Sequence, residues 1–190
     1  MNKQTGLTLI ELMIAIIILG ILAAVAVPNF GSLVRSNQLK SSYNTFAGVI
    51  AVARSEAVNR RSTITICVSK DKSTCATGND DTWSDGYMVF VDRDRNAVRN
   101  ADATAGEDIL RIEPAVTQLD ISSSEFEHSI SIAPRGRLRT QGSFVFCAGG
   151  NAETARALNL WVTGLGRLAT DGSTDTDTIV EDISGTNVQC

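Results

Sequence analysis

The strongest constraint on the fold of this chain lies at its start. From Leu7 to Val27 every residue is apolar or glycine except Thr8 and Glu11. Coiled at 1.5 Å per residue, these 21 residues span about 31 Å, enough for the hydrocarbon core of a bilayer. A helix that is apolar all round has to be buried in lipid or among other helices. Ahead of it, Met1 to Gly6 is short and polar, with one cation, Lys3. A secretory signal peptide is the competing reading, with Ala23-Ala24-Val25-Ala26 as its small-residue cleavage site. Two features oppose it: an acid, Glu11, sits early in the apolar run, and the helical pattern continues past Val27.

Beyond the run, Leu39, Tyr43, Phe46, Ile50, Ala53 and Ala57 recur at alternating spacings of four and three, the stripe of an amphipathic helix. Arg35, Lys40, Asn44, Arg54 and Asn59 fall off that stripe. The chain therefore predicts one helix of about 50 residues, apolar over 7–28 and one-sided over 29–60. Pro28 and Gly31 should bend or loosen it at the junction, since proline lacks a backbone donor and crowds the preceding turn. Glu11 poses a physical problem: an ionised carboxylate is costly in hydrocarbon. Either it pairs with a cation, for which a neighbouring chain's new α-amino group would serve after a cut beside Gly6, or it stays hydrated near the interface.

After residue 60 the period changes to two. Thr63-Ile64-Thr65-Ile66-Cys67, Ser129-Ile130-Ser131-Ile132 and Ala157-Leu158-Asn159-Leu160-Trp161-Val162 alternate, while Met88-Val89-Phe90-Val91 and Phe144-Val145-Phe146 suit buried strands. Turn-forming clusters separate them at 76–81, 100–106 and 171–175. The expected fold class is α+β. A long N-terminal helix, apolar in its first half, packs on an antiparallel sheet or two-sheet sandwich of seven or eight strands over 61–190.

Four cysteines, Cys67, Cys75, Cys147 and Cys190, lack C-x-x-C spacing, and the single histidine, His128, has no cysteine near it in sequence. That weakens a zinc site and favours two disulfides in an exported domain over free thiols in a cytosolic one. Three connectivities are open; proximity favours Cys67–Cys75 and Cys147–Cys190. Charge is unevenly spread. Residues 134–170 carry five Lys/Arg against one acid, between 70–133 with six against thirteen and 171–190 with none against five. Such a cationic strip can steer a partner.

Gly6-Leu7-Thr8-Leu9-Ile10-Glu11-Leu12 resembles the class III signal of type IV pilins and type II secretion pseudopilins, and Pro28 stands where those helices bend. The resemblance implies cleavage between Gly6 and Leu7 by a prepilin peptidase, making 1–6 a leader, and N-methylation of Leu7. It gives Glu11 the role of pairing with a neighbour's amino terminus during assembly. This chain has Leu where the family most often has Phe after the cut. Further along, Ala53-Arg54-Ser55-Glu56-Ala57-Val58, the run from Trp83 to Asp92 and Gly164-Leu165-Gly166-Arg167-Leu168 resemble the GspH/FimT/FimU branch. That implies a minor pilin or pseudopilin, near a filament tip, that helps to start assembly. Its partners would be other major and minor pilins, the inner membrane, the prepilin peptidase and the assembly machinery. The subunit would sit in the inner membrane with its head in the periplasm, then in a pilus on the cell surface. FimU-like, FimT-like and GspH-like roles follow as alternatives, the last in type II secretion.

Three further features bear on chemistry. Asp92, Asp94 and Asn96 have the spacing of a calcium loop, but Ala97 and Ala103 stand where an EF-hand needs Gly and Glu. A charged turn crowded by Arg93, Arg95 and Arg99 is expected there, with no metal and no cofactor. His128 has no nucleophile elbow, metal cluster or phosphate loop to work with, so no enzyme is expected. Arg135, Arg137 and Arg139 would share one face if extended, and guanidinium groups in a row suit phosphate oxygens. FimT-type minor pilins are associated with DNA uptake through a Gly-Arg-x-Arg string, which Gly136 to Arg139 fits. In the family the string lies on a later strand, where this chain has Gly166-Arg167-Leu168-Ala169. Double-stranded DNA is thus a candidate partner, against a solvated strand or a contact between subunits.

Overall fold

The computed structural model describes residues 8–78, 80–102, 104–171 and 177–190; the side chains of 23–30 and of Ser32 also lie outside that description. One helix, α1, runs over Leu9–Arg60, Pro28 included. By compactness the chain divides into two units, Met1–Asn37 and Gln38–Cys190.

In the first unit, Thr8 caps α1. Its Oγ1 accepts from the Glu11 amide at 3.4 Å and its carbonyl accepts from Leu12 N at 3.2 Å. Thr8-x-x-Glu11 is the spacing of a capping box, and an acid in the first turn is favoured by the helix dipole.

The second unit carries eight strands among the described residues: β1 (Thr63–Val68), β2 (Tyr87–Asp92), β3 (Ile109–Glu113), β4 (Asp120–Ser122), β5 (Ser129–Ile132), β6 (Gly142–Cys147), β7 (Arg156–Leu160) and β8 (Gly166–Leu168). They form two antiparallel four-stranded sheets, in the orders β3-β2-β1-β5 and β4-β6-β7-β8. This is the α+β architecture the patterning predicts. Strands β3, β4 and β8 are not legible in the sequence, because Ile109–Glu113 does not alternate and the other two are only three residues long.

Period two explains the layering. Ile64, Ile66, Val68, Val89 and Val91 of the first sheet join Phe144, Phe146, Leu158 and Leu160 of the second in one core. The stripe of α1 enters the same core through Leu39, Phe46, Ile50, Ala53 and Ala57, together with Val49, which the spacing rule passes over. Phe46 is fully buried amid Trp83, Tyr87, Phe144 and Phe146. Trp83 donates from Nε1 to Phe126 O at 2.7 Å, so its one polar atom is satisfied in the core.

Each sheet has a second buried face, and each is covered by loop pinned with a disulfide. On the first sheet Cys67, Met88 and Phe90 lie under Cys75 and beside Ile109 of β3, with Cys67 bonded to Cys75. Loop 69–75 is braced by Asp71, which accepts from the amides and hydroxyls of Ser73 and Thr74; these bonds, that from the Thr74 amide foremost, hold its carboxyl well below the usual carboxylate range. On the second sheet Cys147, Ala155 and Ala157 lie under Ile179, Val180 and Val188, and Cys147 is bonded to Cys190. Ser143 and Asn159 bond each other at 2.7 Å there, and Ser143 Oγ also accepts from Ile183 N at 2.9 Å. These are the two pairings that proximity favours.

Candidate functional site

Two surfaces carry the residues that the sequence singles out. The first is the start of α1. Leu9, Ile10, Leu12, Met13, Ile14, Ile16, Ile17, Ile18, Leu19, Ile21 and Leu22 are all more than half exposed, on every side of the helix. Glu11 is exposed among them and makes no ion pair among the described residues. Monomeric soluble proteins do not leave so large an apolar surface uncovered, so this helix needs lipid or other helices around it. Among the described residues no helix is long and apolar enough to cross a membrane; the described apolar stretch from Leu9 to Leu22 spans about 21 Å. Gly6 and Leu7, the expected processing residues, lie outside the described residues, as does the side chain of Pro28.

The second surface is the arginine strip, which is not the extended segment that its spacing suggests. After β5 the chain makes a three-residue hairpin loop, Pro134-Arg135-Gly136. It is closed by Ala133 N to Arg137 O at 2.8 Å and Gly136 N to Ala133 O at 2.8 Å. Gly136 has φ +71°, the left-handed residue of a type I turn with a bulge, and proline suits the first turn position. The turn chemistry overrides the alternation. Arg135, Arg137 and Arg139 are nonetheless all exposed, while Gly136 and Leu138 between them are buried.

The same turn recurs after β7, with Trp161 N to Leu165 O at 3.0 Å and Gly164 N to Trp161 O at 2.8 Å, so β7 stops at Leu160 instead of reaching Val162. The two turns meet: Leu138 N donates to Val162 O at 3.0 Å, and a Cβ on Gly164 would lie 2.1 Å from Gly136 O. Arg54 of α1 closes this junction by donating from Nε to Gly136 O at 3.1 Å. Expected on the solvent side of the helix, Arg54 is half-buried because it holds two glycine turns together. The sequence segments around Arg54 and Gly164 are thus one contact. Arg167 follows on β8, exposed, opposite Asn159.

His128 is half-buried at the head of β5, its Nε2 3.0 Å from Gly78 O. Nearby, Lys70 bridges Asp81 at 2.7 Å and Asp85 at 3.5 Å, and its ammonium is held above its ordinary pKa by the bond to Asp81. Burial pushes the Tyr87 phenol up.

Known proteins match this arrangement. A family model described as Type II transport protein GspH covers residues 42–166, and one described as Prokaryotic N-terminal methylation motif covers residues 1–27. A fimbrial protein of Moraxella nonliquefaciens is 38% identical over 80 residues, 42% of this chain and 49% of the other, so the chain spans about half the length of that relative. Among solved structures, the type IV minor pilin FimU of Pseudomonas aeruginosa superposes with a TM-score of 0.55 at 22% identity, covering 74% of this chain and 95% of that one. A second crystal form of FimU gives 0.54 at 22%, covering 73% and 98%. The fold is therefore that of a pilin. With the first family model spanning well over half its length, and a methylation motif ahead of it, this chain belongs to the GspH family of type IV minor pilins and pseudopilins.

Proposed function

We propose that this chain is a FimU-like minor pilin: a structural subunit that helps to initiate a type IV pilus near its tip, acting through helix packing and subunit contacts without catalysis. One observation carries this reading. An exposed, all-round apolar helix start holds a single acid, Glu11. Such a surface suits two successive states of one helix, first in the inner membrane and then in the filament core. Cleavage between Gly6 and Leu7 supplies the α-amino group that a neighbour's Glu11 would meet.

Glu11→Ala should lower the amount of this subunit in sheared pili by at least about tenfold, because leaving one buried charge of a pair uncompensated costs about 3–5 kcal/mol. Normal incorporation would remove the pairing role. A GspH-like place in a secretion machine is separated by gene neighbourhood, since pilus and secretion genes cluster apart.

The exposed Arg135, Arg137 and Arg139 favour a second reading, a FimT-like subunit that grips DNA. Full-length protein in detergent, titrated with duplex DNA, should then bind at low salt and release as salt rises. Arg137→Ala with Arg139→Ala should weaken binding and reduce the salt slope by about 2, one for each phosphate no longer neutralised. Undiminished binding by that double variant would exclude the strip as the grip.

A further inference from the structure

Strand β2 ends in a carboxylate that the fold leaves half-satisfied. Asp92 is fully buried, on the outer face of the first sheet, beneath the covering loops. Its Oδ2 accepts from Thr65 Oγ1 at 2.7 Å and from Ala97 N at 3.2 Å, while Oδ1 has no partner at all. Two more acids converge on it. Glu107 is 4% exposed and Asp94 is exposed, and one carboxylate oxygen from each of the three lies within 4.8 Å of the others.

No lysine or arginine neutralises this group among the described residues. Two of the loop's three arginines are engaged elsewhere: Arg93 Nε on Gly106 O at 2.9 Å, Arg99 Nε on Glu107 O at 3.2 Å, and Arg99 Nη1 on Ser73 O at 2.8 Å; the third, Arg95, is exposed and makes no ion pair among the described residues. Glu107 accepts only backbone amides, Arg93 N at 3.1 Å and Asn100 N at 2.6 Å. Each of its oxygens therefore keeps a free lone pair. Asp94 accepts from the Asn96 amide at 3.2 Å and from Asn96 Nδ2 at 2.8 Å. Two buried carboxylates and a third at the rim, without a cation, form an arrangement that burial alone penalises heavily.

We propose that Asp92, Asp94 and Glu107 bind a calcium ion, which fastens the 93–107 loop onto the end of β2. Oxygens on one calcium at about 2.3–2.6 Å can be no more than about 4.6–5.2 Å apart, and these three meet that condition. Three hard carboxylate donors suit calcium chemistry, and the unpartnered Asp92 Oδ1 gains the partner it lacks. The motif is not an EF-hand. Its closing acid is Glu107, brought in by the return of the chain toward β3, where the twelve-residue rule looks to Ala103 instead. Asn96 braces the loop instead: its Oδ1 accepts from Val98 N at 2.6 Å and its Nδ2 donates to Asp94 Oδ2 at 2.8 Å.

The test uses the full chain in detergent, stripped with EDTA and dialysed. Calcium chloride should give one saturable event in isothermal titration calorimetry and raise Tm by about 5–10 °C at a hundredfold excess over Kd. Asp94→Asn changes an exposed position and leaves the buried bonds of Asp92 and Glu107 in place. It should weaken calcium binding about tenfold or more while Tm without calcium stays near that of the parent. Glu107→Gln should remove the calcium response. The proposal fails if the parent shows neither heat nor a Tm shift up to about 10 mM calcium. It fails equally if Asp94→Asn binds calcium as the parent does, or if sodium at matched ionic strength gives the same response.

Discussion

Phe46→Ala should lower the stability of the globular unit by about 4 kcal/mol, the upper range for emptying a core phenylalanine site. The ring is fully buried, with centroids 4.5 Å from Phe144, 5.0 Å from Tyr87, 5.6 Å from Trp83 and 5.7 Å from Phe146. These rings come from α1, from the turn before β2, from β2 itself and from β6, so the cavity would open where the helix meets both sheets. Relaxation is hindered because Trp83 is fixed through its bond to Phe126 O. For a unit of this size the loss corresponds to a Tm lower by about 8–16 °C. Thermal unfolding of the full chain in detergent, followed by near-ultraviolet circular dichroism, would measure it. A fall of only about 2 °C would mean that the helix is not held by this ring.

The second large effect concerns the covers. Opening Cys147–Cys190 by Cys147→Ser with Cys190→Ser releases a crosslink across a sequence separation of 43, against 8 for Cys67–Cys75. In the chain-entropy account these loops are worth about 4 and about 2.5 kcal/mol. The C-terminal pair should therefore cost more, and its loss should also free the tail that lies over Ala157 and Cys147. Limited proteolysis of that double variant should remove residues near the C-terminus while the Cys67/Cys75 double variant keeps them. If the short loop proves the costlier to open, loop entropy does not govern these bridges and local packing around Met88 and Phe90 does.

Both effects rest on parts of the fold that are readable in different degrees. The stripe over Leu39 to Ala57 and the alternation in β1, β5 and β7 are local periodicities, set by which face of one element meets the core, and the structure keeps them. Of the three disulfide connectivities that the sequence leaves open, the structure holds the one that proximity favours. Strands β3, β4 and β8 are not readable, because they are too short or too irregular to show a period and their pairing depends on partners that other segments supply. The alternation over Arg135 to Arg139 suggests an extended segment, yet a proline and a glycine at the turn positions make a hairpin that this alternation hides.

A long helix with an apolar, acid-bearing start ahead of a β-rich head is legible in the sequence, since those features are written in neighbours a few residues apart. That Arg54 ties two glycine turns together, and that Asp92 and Glu107, fifteen positions apart, come side by side, is visible only once the chain is folded. Such meetings depend on how strands pair and loops return, which no spacing within a single segment encodes.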